Sequence, residues 1–170
     1  MKRETARLWL EPFAPEHAQG LHAMNADPEV MRFLDGPQTF EQTQGGITRV
    51  AARWAELGYG WWALIEKETG DLVGAACLQN TENKLENPLE IGWRLVPAAQ
   101  GKGYATEAGQ AAMDYAFEVI KAKRIISVAH PDNIASQKVM QRLGMTDIGL
   151  STHYGEMCVT YEALSSIPTS

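Results

Sequence analysis

The chain predicts an α/β domain in which one mixed sheet carries helices on both faces, and three observations lead there. Leu89, Ile91, Trp93 and Leu95 alternate with Glu90, Gly92, Arg94 and Val96, the period of a strand with one well-buried face, and Pro97 stops it. From Gly103 the period changes: Ala105, Ala108, Ala112, Tyr115, Ala116 and Val119 fall at helical spacing. The third observation is the order of signals along the whole chain, which reads strand, helices, three strands, helix, strand, helix and two strands.

Each element has its own local reason. Residues 5 to 13 read as an edge strand cut short by Pro12, and Pro15 to Asn25 as a helix with Ala18, Leu21 and His22 on one stripe. Asp27-Pro28-Glu29 opens a short second helix through Val30, Met31 and Leu34, which Asp35-Gly36-Pro37 ends. A longer helix runs from about Phe40 to Leu57 with Thr39 as its cap, weakened near its start by Gly45-Gly46. Tyr59 to Glu66 and Leu72 to Gln79 form a hairpin, on which Trp61 and Trp62 point to opposite faces, one to the core and one outward. A polar loop from Asn80 to Pro88 leads to the central strand, and the helix after Gly103 extends to about residue 121. Ile125 to His130 suits a fully buried strand, Asn133 to Met145 a helix closed by Gly144 and capped by Asp132 or Asn133. Thr146 to Thr152 and Glu156 to Ala163 close the sheet, leaving a Ser/Pro/Thr tail that frays.

The bulk properties bound the function. A chain of 170 residues is one domain, 1–170, large enough to bury a core without staples. Its net charge of −6 argues against nucleic acid as a partner and is compatible with a cationic amine. No apolar run approaches a membrane span and the N-terminus lacks a signal core, so the expected address is the cytoplasm. Cys77 and Cys158 sit far apart in apolar surroundings with no metal-ligand spacing, so they read as buried free thiols. An aromatic left exposed at 61 or 62 and the closing strand pair are compatible with a homodimer.

The strand, glycine loop and helix start form a place for an anion. The first N–H groups of a helix lack partners and carry partial positive charge, so a loop without bulky side chains can wrap a phosphate there. Gly101 and Gly103 leave the room and Lys102 adds charge, although glycines at such a turn also serve only to make the turn. Neither the P-loop nor the dinucleotide fingerprint fits. Gln100-x-x-Gly103-x-Ala105 does resemble the acyl-CoA pyrophosphate loop of the GNAT superfamily of N-acyltransferases. The string Gly-Lys-Gly-Tyr-Ala-Thr-Glu-Ala, with Glu-Ile-Gly-Trp-x-Leu before it, is similar to the RimJ/RimL branch, as is Arg7-Leu8-x-Leu10-x-Pro12. Asn133-x-x-Ser136 followed by Leu143-Gly144-Met145 resembles a second block of the family, about thirty residues on.

This resemblance covers about residues 5 to 163 and implies a central, mostly antiparallel mixed sheet of about seven strands. It implies acetyl-CoA as co-substrate, with the pantetheine beside Trp93, Arg94, Leu95 and Val96 and the pyrophosphate on the amides of Gln100, Gly101, Lys102, Gly103, Tyr104, Ala105 and Thr106. Asn133 would reach the pantetheine arm, and a backbone N–H near Leu95 would polarise the carbonyl. Many members place a Tyr where this chain has Met140, so Ser136 is the candidate acid, against the plainer role of a residue bonding locally in a first helical turn.

Glu90 faces away from Ile91 and Trp93 and is the candidate base, or else pairs with Arg94; His130 is the runner-up, with His153 and Glu82 more remote. Lys102, Lys123, Arg124, Lys138 and Arg142 could gather near the phosphates. No metal-ligand grouping or nucleophile motif occurs, so direct transfer without a covalent enzyme intermediate is expected. Segment 27 to 62 would decide among a protein N-terminus, a polyamine, an aminoglycoside-like compound and an amino-acid derivative. Two other readings stand: a catalytically silent CoA-binding sensor or structural module, and a nucleotide-binding α/β domain.

Overall fold

The structure, a computed structural model, describes residues 1–166, and the expected fraying of the tail falls from residue 167 onward outside the described residues. One sheet has the order β1-β2-β3-β4-β5-β6-β8-β7. Its strands are β1 (Arg3–Glu4), β2 (Leu8–Pro12), β3 (Trp61–Glu66), β4 (Leu72–Asn80), β5 (Leu89–Leu95), β6 (Arg124–Ala129), β7 (Thr146–His153) and β8 (Glu156–Leu164). These are eight strands rather than about seven, because Arg3–Glu4 folds back on Trp9 and Leu10 as a two-residue strand too short to show a period.

Every neighbouring pair is antiparallel except β5 and β6. A parallel pair needs a long crossover, supplied here by helix α3 (Tyr104–Asp114). The pair is short: Leu89 faces Ile125 and Glu90 faces Ile126, and the ladder ends there. On their other sides, β5 stays paired to β4 from Leu89 through Leu95 and β6 to β8 from Arg124 through Ala129. The two strands therefore part towards the C-terminal half of β5.

Alternation along β5 assigns its two faces. Ile91 and Leu95 join Trp62, Leu64, Leu78 and the small stripe Ala108, Ala112 and Ala116 of α3 in the larger core. Ala63 and Ala75 on the opposite face lie under helices α1 (Ala18–Asn25) and α2 (Phe40–Leu57), through Leu21, Met24, Ile47 and Val50. Each fully buried Leu, Ile or Met contributes roughly 1.5–3 kcal/mol by leaving water. Trp62 is the core tryptophan and Trp61 the half-buried one. Cys77 and Cys158 are free and buried.

The helix ends follow from single residues. Thr39 Oγ1 accepts from Gln42 N–H at 3.2 Å while Gln42 Oε1 accepts from Thr39 N–H at 2.8 Å, a reciprocal cap that starts α2 despite Gly45-Gly46. After α3 the chain widens into a π-turn over Tyr115–Val119, with Ile120 N–H on the Tyr115 carbonyl, rather than continuing as α-helix to 121. That turn keeps the Tyr115 hydroxyl on the Gly58 carbonyl at 2.7 Å and its ring edge-on to Trp62.

The expected helix at 27–34 is not formed. Residues 28–35 make successive turns in which Met31 N–H reaches the Asp27 carbonyl but Arg32 and Leu34 close only three-residue turns. The Asp27 carboxylate takes Glu29 N–H at one end of this segment and the left-handed Gly36 closes the other.

Gly74 sets how closely β4 and β5 approach, since a Cβ there would lie 2.5 Å from the Arg94 carbonyl oxygen and 2.6 Å from a Leu95 methyl. Gly74→Ala is expected to cost about 1–3 kcal/mol in urea unfolding by displacing the Arg94–Leu95 segment. An unchanged midpoint would show that the strands are free to separate there.

Candidate active site

The opening between β5 and β6 is the root of a cleft of about 1020 Å³. One wall is Trp93, Arg94 and Leu95, the far end is the glycine loop with Ala105 and Thr106, and the opposite wall is Asn133 and Ser136 with Lys138 and Arg142 beyond. Gly101 and Gly103 hold φ of +74° and +84°, the left-handed region that a side chain disfavours. Gly103 caps α3, and Glu107 N–H closes the first bond onto its carbonyl, so the preceding amides are the helix's orphan donors.

The loop is braced from behind. The Glu107 carboxylate accepts from Thr5 Oγ1 at 2.6 Å, from Arg7 N–H at 2.8 Å and from Arg7 Nε at 2.8 Å, and Arg7 Nη1 donates to the Lys102 carbonyl at 2.8 Å. Burial alone would raise the Glu107 carboxyl, but these hydrogen bonds and the Arg7 charge bring it below the usual range.

Strand geometry fixes which backbone groups of β5 face the opening. Val96 N–H bonds the Val73 carbonyl on the β4 side, so the preceding residue, Leu95, points its N–H and carbonyl the other way. Its carbonyl accordingly meets Gln100 Nε2 at 3.4 Å.

A second cavity, of about 310 Å³, adjoins the first and shares Trp93, Arg94, Asn133 and Ser136 with it. Its floor is the face of the sheet bearing Trp61, Cys77, Gln79, Glu90 and Arg94, and Phe33 from the 28–35 turns forms part of its rim. Glu90 is buried there and does not pair with Arg94; Tyr154 donates its hydroxyl to Glu90 Oε2 at 2.6 Å. Gln79 Nε2 donates to the same hydroxyl at 3.1 Å, and Trp61 Nε1 donates to Gln79 Oε1 at 2.9 Å. Burial pushes the Glu90 carboxyl up to about 7, against the lowering pull of the Tyr154 and Thr81 hydroxyls. Burial and the neighbouring Glu90 charge raise the Tyr154 hydroxyl.

Tyr154 is the residue that sequence reasoning missed. It occupies the first position of the two-residue turn between β7 and β8, with φ of +54° followed by Gly155 at +76°. Such turns favour Asn or Gly at the first position, and a tyrosine held left-handed costs roughly 1–2 kcal/mol. A Tyr-Gly pair flanked by two strands was thus a visible anomaly, and Glu82 fixes it by accepting Tyr154 N–H at 2.8 Å.

Other expected residues divide into those that reach the site and those that do not. Val96 and Tyr104 do not line the clefts: Val96 packs against the core and the Tyr104 hydroxyl bonds Glu66. Lys102 contributes its carbonyl to Arg7, and Arg124 pairs with Glu162 at 2.7 Å. Asn133 caps helix α4 (Ile134–Arg142) by accepting Ser136 N–H at 3.1 Å, while both residues still line the two cavities. His130 stacks on Phe33 at 5.2 Å and His153 Nε2 has no hydrogen-bond partner among the described residues, both on the smaller cavity. Met140 is buried against the same cavity.

The raised Glu90 has a stability consequence. Folded protein keeps a proton that unfolded chain releases from about 4.5 upward, so stability falls as pH rises from about 4.5 through about 7. The loss approaches roughly 3 kcal/mol above pH 7. Glu90→Gln is expected to be more stable than the parent at pH 8 and equal to it near pH 4, measured by urea unfolding at both; a gap independent of pH would contradict a buried, proton-holding carboxyl.

Comparisons with known proteins agree with this geometry. The family model described as acetyltransferase (GNAT) domain matches residues 7–146. The uncharacterized N-acetyltransferase YnaD of Bacillus subtilis is 31% identical over 142 residues, covering 83% of this chain and 80% of that protein. The FsC-acetyl coenzyme A-N(2)-transacetylase of Aspergillus fumigatus is 31% identical over 153 residues, covering 85% of this chain and 64% of that protein. Among solved structures, a GNAT-family acetyltransferase from Bacillus anthracis superimposes with a TM-score of 0.82 at 29% identity, covering 96% of this chain and 98% of that one. The matched family, the eight-stranded sheet parted between β5 and β6, and the glycine loop at that parting together establish that the chain belongs to the GNAT family of acyl-CoA-dependent N-acetyltransferases.

Proposed function

We propose that this protein transfers the acetyl group of acetyl-CoA directly to a primary amine, of a small molecule or a protein N-terminus. The observation that carries the reading is the joined pair of cavities, one ending at the glycine loop and the other at a buried carboxyl. The residues fit the co-substrate. Left-handed Gly101 and Gly103 open the loop, the amides through Thr106 await an anion, and Lys138 and Arg142 line the same cleft. The side of β5 that lost its partner presents the backbone of Trp93 and Leu95 to the pantetheine amides.

Acetyl-CoA supplies the activated acyl group. Holding two reactants in line can lower the barrier by roughly 7–11 kcal/mol, and a positioned base adds about 10²–10⁴ in rate. Leu95 N–H points where a carbonyl oxygen would gain negative charge. As the C–N bond forms and the C–S bond breaks, Glu90 takes the amine's proton, directly or through water, and Ser136 gives its hydroxyl proton to the departing sulfur and regains one from water. A base near 7 suits that task at neutral pH. Asp35, Glu90 and Glu156 make the smaller cavity acidic, which suits a cationic amine.

The same reading takes the whole chain as one domain of the RimJ/RimL-like branch, at work in the cytoplasm; no helix among the described residues is long and apolar enough to cross a membrane. Exposed Ile148, Leu150 and Met157 on β7 and β8 support a homodimer.

Two measurements test it. Gly103→Glu, which adds a carboxylate at a left-handed position where even a Cβ would lie 3.3 Å from Arg7 Nη2, is expected to weaken coenzyme A binding at least about tenfold by titration calorimetry. Unchanged affinity would place the pyrophosphate elsewhere. Glu90→Gln is expected to lower kcat/KM about 10²-fold or more in free-thiol release, and Tyr154→Phe, by removing a hydroxyl that lowers Glu90, to move the acid limb of the pH–rate profile upward. Tight coenzyme A binding with no thiol release from any amine would leave a CoA-binding module in place of an enzyme.

A further inference from the structure

Arg94 is a charged group without an answering charge. Its side chain shares a face of β5 with Glu90 and Gly92 and stands where the two cavities meet. Its guanidinium carbon lies 4.8 Å over the Trp61 ring, and Nε is enclosed with no hydrogen-bond partner among the described residues. None of the ion pairs among the described residues includes it. Glu90, the acid nearest along its strand, is turned to Tyr154. A buried guanidinium N–H without an acceptor is unfavourable, and burial draws Arg94 down to about 10. The planar fork, steadied on an indole, matches a carboxylate in two-point contact.

Taking the proposed acetyl transfer as its basis, we infer that the acceptor is a free amino acid with an apolar side chain, its carboxylate on Arg94 and its amine presented to Glu90. Glu90 and Arg94 stand four residues, roughly 13 Å, apart on one face of the strand. Arg94 folds over Trp61, which lies across the sheet level with Gly92 between them, so the two long side chains bracket a zwitterion. The donor's own anions do not satisfy Arg94, because the glycine loop, Lys138 and Arg142 take the phosphates and the pantetheine between them and the thioester is neutral. A cavity of about 310 Å³ admits a small molecule, and Phe33 and Met140 give its side chain an apolar wall. A protein N-terminus carries an amide where the free amino acid carries its carboxylate, so Arg94 favours the free acid over a chain.

The test follows thiol release from acetyl-CoA with three matched sets: L-leucine, L-methionine and L-phenylalanine, each beside its amide and its decarboxylated amine. In at least one set the free acid should exceed both analogues in kcat/KM by at least about tenfold, since a site built for a polar group strongly rejects the analogue lacking it. Arg94→Met should bring that ratio to within about threefold of unity while the coenzyme A dissociation constant, titrated separately, stays within about twofold. Amides or amines reacting as well as the acids in every set would overturn the inference and leave acetyl transfer standing. A tenfold loss of coenzyme A affinity in Arg94→Met would also overturn it, by assigning Arg94 to the donor. No thiol release from any acceptor would sink the acetyl-transfer reading and this inference together.

Discussion

The separation of β5 from β6 is the constraint on which the rest depends. Two strands held parallel for only two residue pairs leave backbone donors and acceptors facing a gap, an arrangement ordinarily closed by further pairing. Here the gap persists because each strand is committed elsewhere, β5 to the length of β4 and β6 to the length of β8. The crossover between them leaves β5 through the glycine loop, so the start of α3 necessarily lies at the mouth of the opening. The unpaired edge and the glycine loop at its mouth are consequences of one topological fact.

Much of this was legible in the residues. The period change at Gly103 placed strand, loop and helix, because a half-buried strand and an alanine-striped helix bury different spacings of side chain. Thr39 marked the start of α2 by a cap whose chemistry is local, and the structure adds the returning bond from Gln42. Where local chemistry was ambiguous, the reading failed. Pro28 and Glu29 look like a helix start, yet the following residues are spent on turns that bring Phe33 over His130. Arg94 and Glu90 look like a pair along one face of β5, yet tertiary contacts send one to Trp61 and the other to Tyr154. No spacing rule joins residue 90 to residue 154.

The carboxyl, the tyrosine and the arginine form a region that is unfavourable in isolation. An acid without a cation beside it, a cation without an anion and a tyrosine in a left-handed turn each lower stability, and all three border one small cavity. Such concentrations of unfavourable features are retained where chemistry needs them. The larger core, with Trp62, Leu64, Leu78 and Ile91 fully enclosed, offsets them from the opposite face of the sheet.

The position of Tyr154 in the chain has a consequence for biosynthesis. A ribosome releases the glycine loop, α3 and α4 before residue 154, and β8, which must slide between β6 and β7, comes last of all. Until β8 has been made, β6 lacks the neighbour that holds it away from β5, so both the parting of the sheet and the seating of Tyr154 on Glu90 are completed only with the final strand.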